Sequence, residues 1–126
     1  MTQIQNPFLI KPTNKKFIAL KGQTNGYLQI APAEFTDNFN NLNPQIFLIA
    51  QTWAQELEQL GAKKVYWITL SEIVTHLHIH VFPRWSDQEV KGLDLFALRE
   101  ECLWPWNENT NKALNAWADK NQIAVF

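Results

Sequence analysis

The chain has 126 residues, 46% of them hydrophobic and 18% charged, which excludes a disordered or collagen-like chain and fits one domain spanning residues 1–126. A net charge of −1 argues against a dedicated duplex nucleic acid binder, which carries a basic surplus. The single cysteine, Cys102, leaves no internal disulfide and no zinc site built from cysteines, so a reducing, cytoplasmic setting is expected. The longest wholly apolar run, residues 46–50, falls far short of the roughly 20 residues of a membrane helix. The first six residues show no basic-then-apolar leader, so no secretory signal is expected, and with the short apolar run no membrane partner is expected either.

Charge is uneven along the chain. Residues 1–33 hold Lys11, Lys15, Lys16 and Lys21 and no acid, whereas residues 87–108 are rich in Asp and Glu. A basic entry segment favours a phosphate-bearing ligand, although lysines on solvated strands and loops are as common. Trp85, Trp104, Trp106 and Trp117 crowd the last third, as in a core or a subunit interface.

Residues 17–21 and 27–31 are short apolar runs separated by Gly22-Gln23-Thr24-Asn25-Gly26, the pattern of a β-hairpin ended by Pro32. Residues 44–60 predict a helix. Asn43 is the cap, Pro44 the first helical position and Gly61 the stop, and Ile46, Ile49, Ala50, Trp53, Leu57 and Leu60 form one apolar face. Residues 64–70 read as a strand, residues 71–74 as a short connection, and residues 75–82 as a second strand stopping at Pro83. Two strands so close must pair antiparallel. Residues 94–102 and 111–121 predict helices, and the whole order indicates an α+β fold, an antiparallel sheet with helices on one face.

All three histidines fall in His76-Leu77-His78-Ile79-His80. Strand alternation places the three imidazoles on one face, about 6.6 Å apart, and Leu77, Ile79 and Val81 on the other, against the helix. Such a row fits the polar face of a sheet, a metal site with Glu72 as the only nearby carboxylate, or catalysis at phosphorus. For the last, imidazole is nucleophilic when neutral and titrates near working pH, and mutual repulsion keeps such a row from carrying three charges.

The stretch from Thr75 to Arg84, THLHIHVFPR, resembles the signature of the histidine triad family: His-x-His-x-His, two apolar residues, then Pro-Arg. Weaker similarity to its fragile-histidine-triad branch, the dinucleoside polyphosphate hydrolases, covers residues 9–84. It includes Leu9-Ile10-Lys11-Pro12, the run from Gly26 to Pro32, and Trp67-Ile68-Thr69. The resemblance implies an α+β antiparallel sheet of about five strands, a main helix between strand pairs and C-terminal helices. It also implies a homodimer that takes a nucleotide as its small-molecule substrate, with no cofactor and no metal needed for the histidine chemistry.

By the same resemblance, the protein is a nucleotide hydrolase or nucleotidyl transferase. His78 attacks the α-phosphorus of a nucleotide phosphoramidate or dinucleoside polyphosphate, forming a nucleotidyl-histidine. His76 and His80 hydrogen-bond phosphate oxygens, the leaving group or the attacking ring. Tyr27, Thr69, Ser71, Thr75 and Arg84 are the candidate substrate-binding residues, with Arg84 offering a bidentate phosphate contact. Three features depart from the family pattern, one being that the serine or threonine often found shortly before the triad has only Thr75 or Ser71, both out of register, to stand for it. Tyr27 stands where many members have a further histidine, and residues 71–74 replace a longer, glycine-containing phosphate loop. The alternatives are a weakly catalytic nucleotide-binding protein of this fold and a histidine-row metal protein.

Overall fold

The computed structural model describes residues 6–9, 13–71, 74–87 and 89–126. Strands β1 (Phe17–Lys21) and β2 (Leu28–Pro32) form the expected antiparallel hairpin, with Phe17 opposite Pro32 and Lys21 opposite Leu28. Helix α1 (Gln45–Gln59) follows. Asn43 provides its cap, the side-chain oxygen accepting from the Gln45 amide at 3.0 Å and the carbonyl from that of Ile46 at 3.1 Å. At the far end Gly61 takes a φ of +107°, a left-handed turn that a β-carbon would strain.

Strand β3 (Lys64–Ile68) pairs antiparallel with β4 (Ile79–Arg84), and β4 pairs antiparallel with β2. Strand β4 begins at Ile79 rather than Thr75, so His76 and His78 lie before it, and Pro83 does not end it. The ladder to β2 stops at Val81, so the strand has one open side there, where a residue without an N–H is tolerated. Helix α2 is shorter than expected, Gly92–Phe96. Beyond it Leu98, Arg99 and Glu101 bond three residues back instead of four, and the Leu103 and Trp104 amides are drawn to Thr24 Oγ1. Helix α3 (Glu108–Asn121) begins three residues earlier than periodicity indicated, because the Asn107 side chain accepts from the Thr110 amide at 2.9 Å. A strand absent from the sequence reading, β5 (Ile123–Val125), lies parallel to β1.

The sheet order is β3-β4-β2-β1-β5, an α+β arrangement in which only the edge pair β1/β5 runs parallel. Period-two alternation divides its faces. Leu28, Ile30, Ile79 and Val81 pack beneath Ile46, Ile49, Trp53 and Leu57 of α1 and Leu114 and Trp117 of α3. The opposite face carries two smaller apolar clusters, Phe8 with Ile18 and Ala31 at one end, and Tyr27 with Phe82, Leu95 and Phe96 at the other. Helices therefore cover both faces, since α2 lies across from α1.

The turn between β1 and β2 is buried: Thr24 is 0% and Asn25 3% exposed. Three indole N–H groups bind its carbonyls, Trp106 to Gly22 at 2.9 Å, Trp85 to Asn25 at 2.7 Å and Trp53 to Gly26 at 2.9 Å. The Asn25 amide donates to the Trp104 carbonyl, and the Asn107 amide donates to Asn25 Oδ1. The tryptophan-rich last third thus fastens this turn, supplying hydrogen bonds that buried backbone otherwise lacks.

Candidate active site

The histidine row lies between the two apolar clusters, and each imidazole has a different setting. His76 is wholly buried, its ring 5.3 Å from Phe8 and 5.7 Å from Phe35. Its Nε2 is 2.8 Å from the Pro32 carbonyl and its Nδ1 3.2 Å from the Asn6 amide nitrogen. A carbonyl only accepts and an amide NH2 only donates, so His76 carries its proton on Nε2, and both nitrogens are engaged.

The His76 carbonyl in turn accepts from His78 Nδ1 at 2.7 Å. His78 therefore holds its proton on Nδ1, leaving the Nε2 lone pair uncommitted. Burial pushes the pKa of this ring below the ordinary histidine value, so the ring is neutral at pH 7. Ser71 Oγ accepts from the His78 main-chain amide at 3.4 Å, with Ser71 held at a φ of +52°. His80 stands 4.8 Å from His78, edge to face, closer than the ideal strand spacing. Its Nδ1 lies 2.7 Å from the Tyr27 hydroxyl. Burial, with the Arg99 charge and that of His78 whenever it is protonated adding to it, pushes the His80 pKa down to about 3. The row is thus largely enclosed and uncharged, rather than facing open solvent as an exposed sheet surface would.

A cleft of about 360 Å³ opens onto His78 and His80, walled by Gln29, Ile68, Ser71 and Phe96, with Arg99 and Glu100 at its side. Arg99 is the one cation among the described residues lining it, its guanidinium 4.5 Å from the Phe96 ring centre. A larger groove of about 460 Å³, edged by Lys15, Lys16 and Lys120, contains no histidine.

Of the residues singled out from sequence, Ser71 reaches the cleft beside His78, and Tyr27, only 2% exposed, sits beneath His80. Thr69 and Thr75 lie outside the cleft lining, Thr75 exposed. Arg84 also lies outside it, its guanidinium spent on Tyr66 Oη, the Ser86 carbonyl and Asp87 Oδ1. Lys11 and Glu72 lie outside the described residues. Sequence reading missed Arg99, Phe96 and Gln29. Phe96 and Arg99 are one helical turn apart, but nothing local shows that α2 folds over His80.

For a metal, the committed nitrogens leave Nε2 of His78 and of His80, short of the three or four protein ligands that zinc takes. Among the described residues no group of three or more His, Cys, Asp or Glu is placed to hold an ion.

No protein-family model matches the sequence. No curated protein matches it in sequence. Among solved structures, the fold is similar to that of a zinc-bound histidine triad family protein from Mycobacterium smegmatis: TM-score 0.50, 17% identity, covering 91% of this chain and 86% of that one. A hypothetical histidine triad nucleotide-binding protein from Sulfolobus tokodaii also matches, with TM-score 0.42, 13% identity, and 90% and 82% of the two chains covered. At such identities the first likeness is one of fold.

Proposed function

We propose that the chain is a histidine triad nucleotide hydrolase or nucleotidyl transferase in which His78 Nε2 is the nucleophile. One observation carries this reading. The 2.7 Å bond from His78 Nδ1 to the His76 carbonyl leaves a neutral Nε2 facing a cleft large enough for a phosphate and part of its substituents. His76 acts as a strut for that carbonyl, its own nitrogens being engaged.

In the first step the Nε2 lone pair forms a bond to the α-phosphorus while the bond to the leaving group breaks and its electron pair departs with that group. In the second, water adds to phosphorus and gives up a proton to solvent while the P–N bond breaks and its electron pair returns to Nε2. A nucleoside monophosphate is released and His78 returns to its neutral state. With all three rings neutral, the negative charge of the phosphoryl group meets Arg99 rather than an imidazolium. The substrates of this proposal are nucleotide phosphoramidates and dinucleoside polyphosphates, the latter marking the fragile-histidine-triad branch. A homodimer is part of the same reading, and light scattering at micromolar concentration giving a monomer mass would remove it.

The test is mass spectrometry after brief mixing with an adenosine phosphoramidate or a diadenosine polyphosphate. An acid-labile adenylyl adduct mapped to His78 supports the reading. Protein that binds adenosine monophosphate but forms no adduct and releases no product is instead a non-catalytic nucleotide binder.

A further inference from the structure

Tyr27 is the buried partner of His80: its hydroxyl lies 2.7 Å from His80 Nδ1, and its oxygen also accepts a hydrogen bond from the Arg99 side chain. Two proton arrangements satisfy the 2.7 Å separation. In one, the ring donates from Nδ1 and the phenol accepts, which leaves the phenol proton buried with no acceptor. In the other, the phenol donates to the Nδ1 lone pair, and one bond satisfies both groups. The second is favoured by the setting. Burial raises the phenol's pKa above its ordinary value, so it keeps its proton. Arg99, whose charge bears on both groups, attracts the phenol oxygen's lone pair and leaves the proton for His80.

We propose that Tyr27 is a positioning residue that donates its hydroxyl proton to His80 Nδ1 and so fixes His80 as the Nε2-protonated tautomer, a neutral donor at the cleft. His78 and His80 then present opposite chemistry side by side, a lone pair on one Nε2 and a proton on the other. His80 in this state can hydrogen-bond a phosphate oxygen or a leaving group, and it cannot serve as a base through that nitrogen. The phenol is seated by the buried turn. A β-carbon on Gly22 would overlap the Tyr27 ring carbons, and the Gly22 carbonyl is itself held by Trp106. The tryptophan-rich last third therefore reaches the site through Tyr27. The consequence for turnover rests on His78 being the nucleophile; the tautomer does not.

Long-range nitrogen–proton correlation NMR on the substrate-free protein reads the tautomers directly, with only three histidines to assign. The expected result is His80 protonated on Nε2 and His78 on Nδ1. His80 protonated on Nδ1 in the unaltered protein overturns the proposal. In Tyr27→Phe, His80 is expected to populate both tautomers, with kcat lower by about tenfold, one hydrogen bond's worth, while adenosine monophosphate binding changes less than about twofold. A His80 that stays wholly Nε2-protonated in Tyr27→Phe also overturns it. Should that variant fail to fold, 3-fluorotyrosine labelling of the intact chain, which has only Tyr27 and Tyr66, makes the phenol a stronger donor. The His80 Nδ1 resonance should then move, and an unmoved resonance overturns the lock. Absence of an adenylyl adduct would remove the proposed reaction and leave the tautomer result standing, so the two failures are distinguishable.

Discussion

The two faces of the sheet are built from the same strands and closed in different ways. On the α1 face, Leu77, Ile79 and Val81 join a continuous apolar layer with α1 and α3. On the other, the Phe8 and Phe96 clusters close the two ends and leave the histidines between them. Adjacent residues at the start of β4 therefore answer to different demands. Ile79 is judged by volume and packing, whereas His78 and His80 are judged by where each proton sits. The face that needs a precise proton arrangement is also the one sealed by aromatic rings, because burial keeps the imidazoles neutral.

Neighbouring substitutions test that division. His78→Ala should lower turnover by at least about 1,000-fold, upward of 4 kcal/mol in the barrier, while leaving nucleotide binding within about tenfold. Its folding free energy should change by about 1 kcal/mol, since one hydrogen bond and one small ring are lost. Steady-state kinetics and urea unfolding on the same preparation separate the two readings. Wild-type turnover in this variant would remove the nucleophile. Ile79→Ala, one residue along, should do the reverse. It opens a void beneath α1, costs about 3 kcal/mol in unfolding free energy and leaves kcat of the folded fraction nearly unchanged. Loss of kcat without loss of stability would show that the two faces are not independent.

That the histidines lie opposite Leu77, Ile79 and Val81 was legible from sequence, although the strand expected from Thr75 begins only at Ile79, so His76 and His78 precede it; α1 was legible because its cap, apolar face and stop all agree. What each histidine does was not legible. The partners that decide it, Asn6 and Pro32 for His76 and Tyr27 for His80, are 70, 44 and 53 residues away. The hairpin turn at residues 22–26 was legible from its Gly and Asn content, but the burial of Thr24 and Asn25 was not. Its burial depends on indoles far along the chain, including Trp85 and Trp106. Strand β5 was missed because three residues carry too little periodicity to register. The placement of α2 on the histidine face follows from burial of Leu95 and Phe96 against Phe82 and Tyr27, a tertiary choice.

Acid should weaken the histidine face before the apolar one. His76, His78 and His80 all have pKa values below the ordinary 6.5, with burial the largest cause in each case. Above that value both folded and unfolded chains hold neutral imidazoles, and the stabilisation is fully present. As pH falls below 6.5 the unfolded chain takes up protons that the folded chain refuses, so stability is lost, for His80 progressively down to about pH 3. The slope is at most about 1.4 kcal/mol per pH unit for each histidine. Urea unfolding at pH 6.5 and pH 5.5, above most carboxylate titration, reads it. His80→Gln should reduce the slope by about one proton, and an unchanged slope would mean that His80 titrates normally in the folded protein.

The smallest expected effect concerns which arginine meets the phosphate. The sequence pattern points to Arg84, directly after the triad, but its guanidinium is engaged by Tyr66, Ser86 and Asp87 and stands outside the cleft. Arg99 lines the cleft, stacked over Phe96, and its nearest carboxylate, on Glu100, is 4.0 Å away and largely exposed. The half-buried Arg99 guanidinium has weaker ties, a 3.3 Å bond to the Phe96 carbonyl, a bond to the Tyr27 hydroxyl and the loose Glu100 pair, and beside a neutral histidine row it gains from an arriving phosphate, whereas Arg84 would first have to abandon an ion pair with Asp87. Arg99→Gln should therefore weaken adenosine monophosphate binding by about threefold to tenfold, roughly 0.7–1.4 kcal/mol, with the loss shrinking as salt is raised. Arg84→Gln should change binding less than about twofold. Calorimetric titration of both variants decides between them, and the opposite ranking would mean that the phosphate enters from the β4 end of the row, beside Arg84, rather than through the cleft.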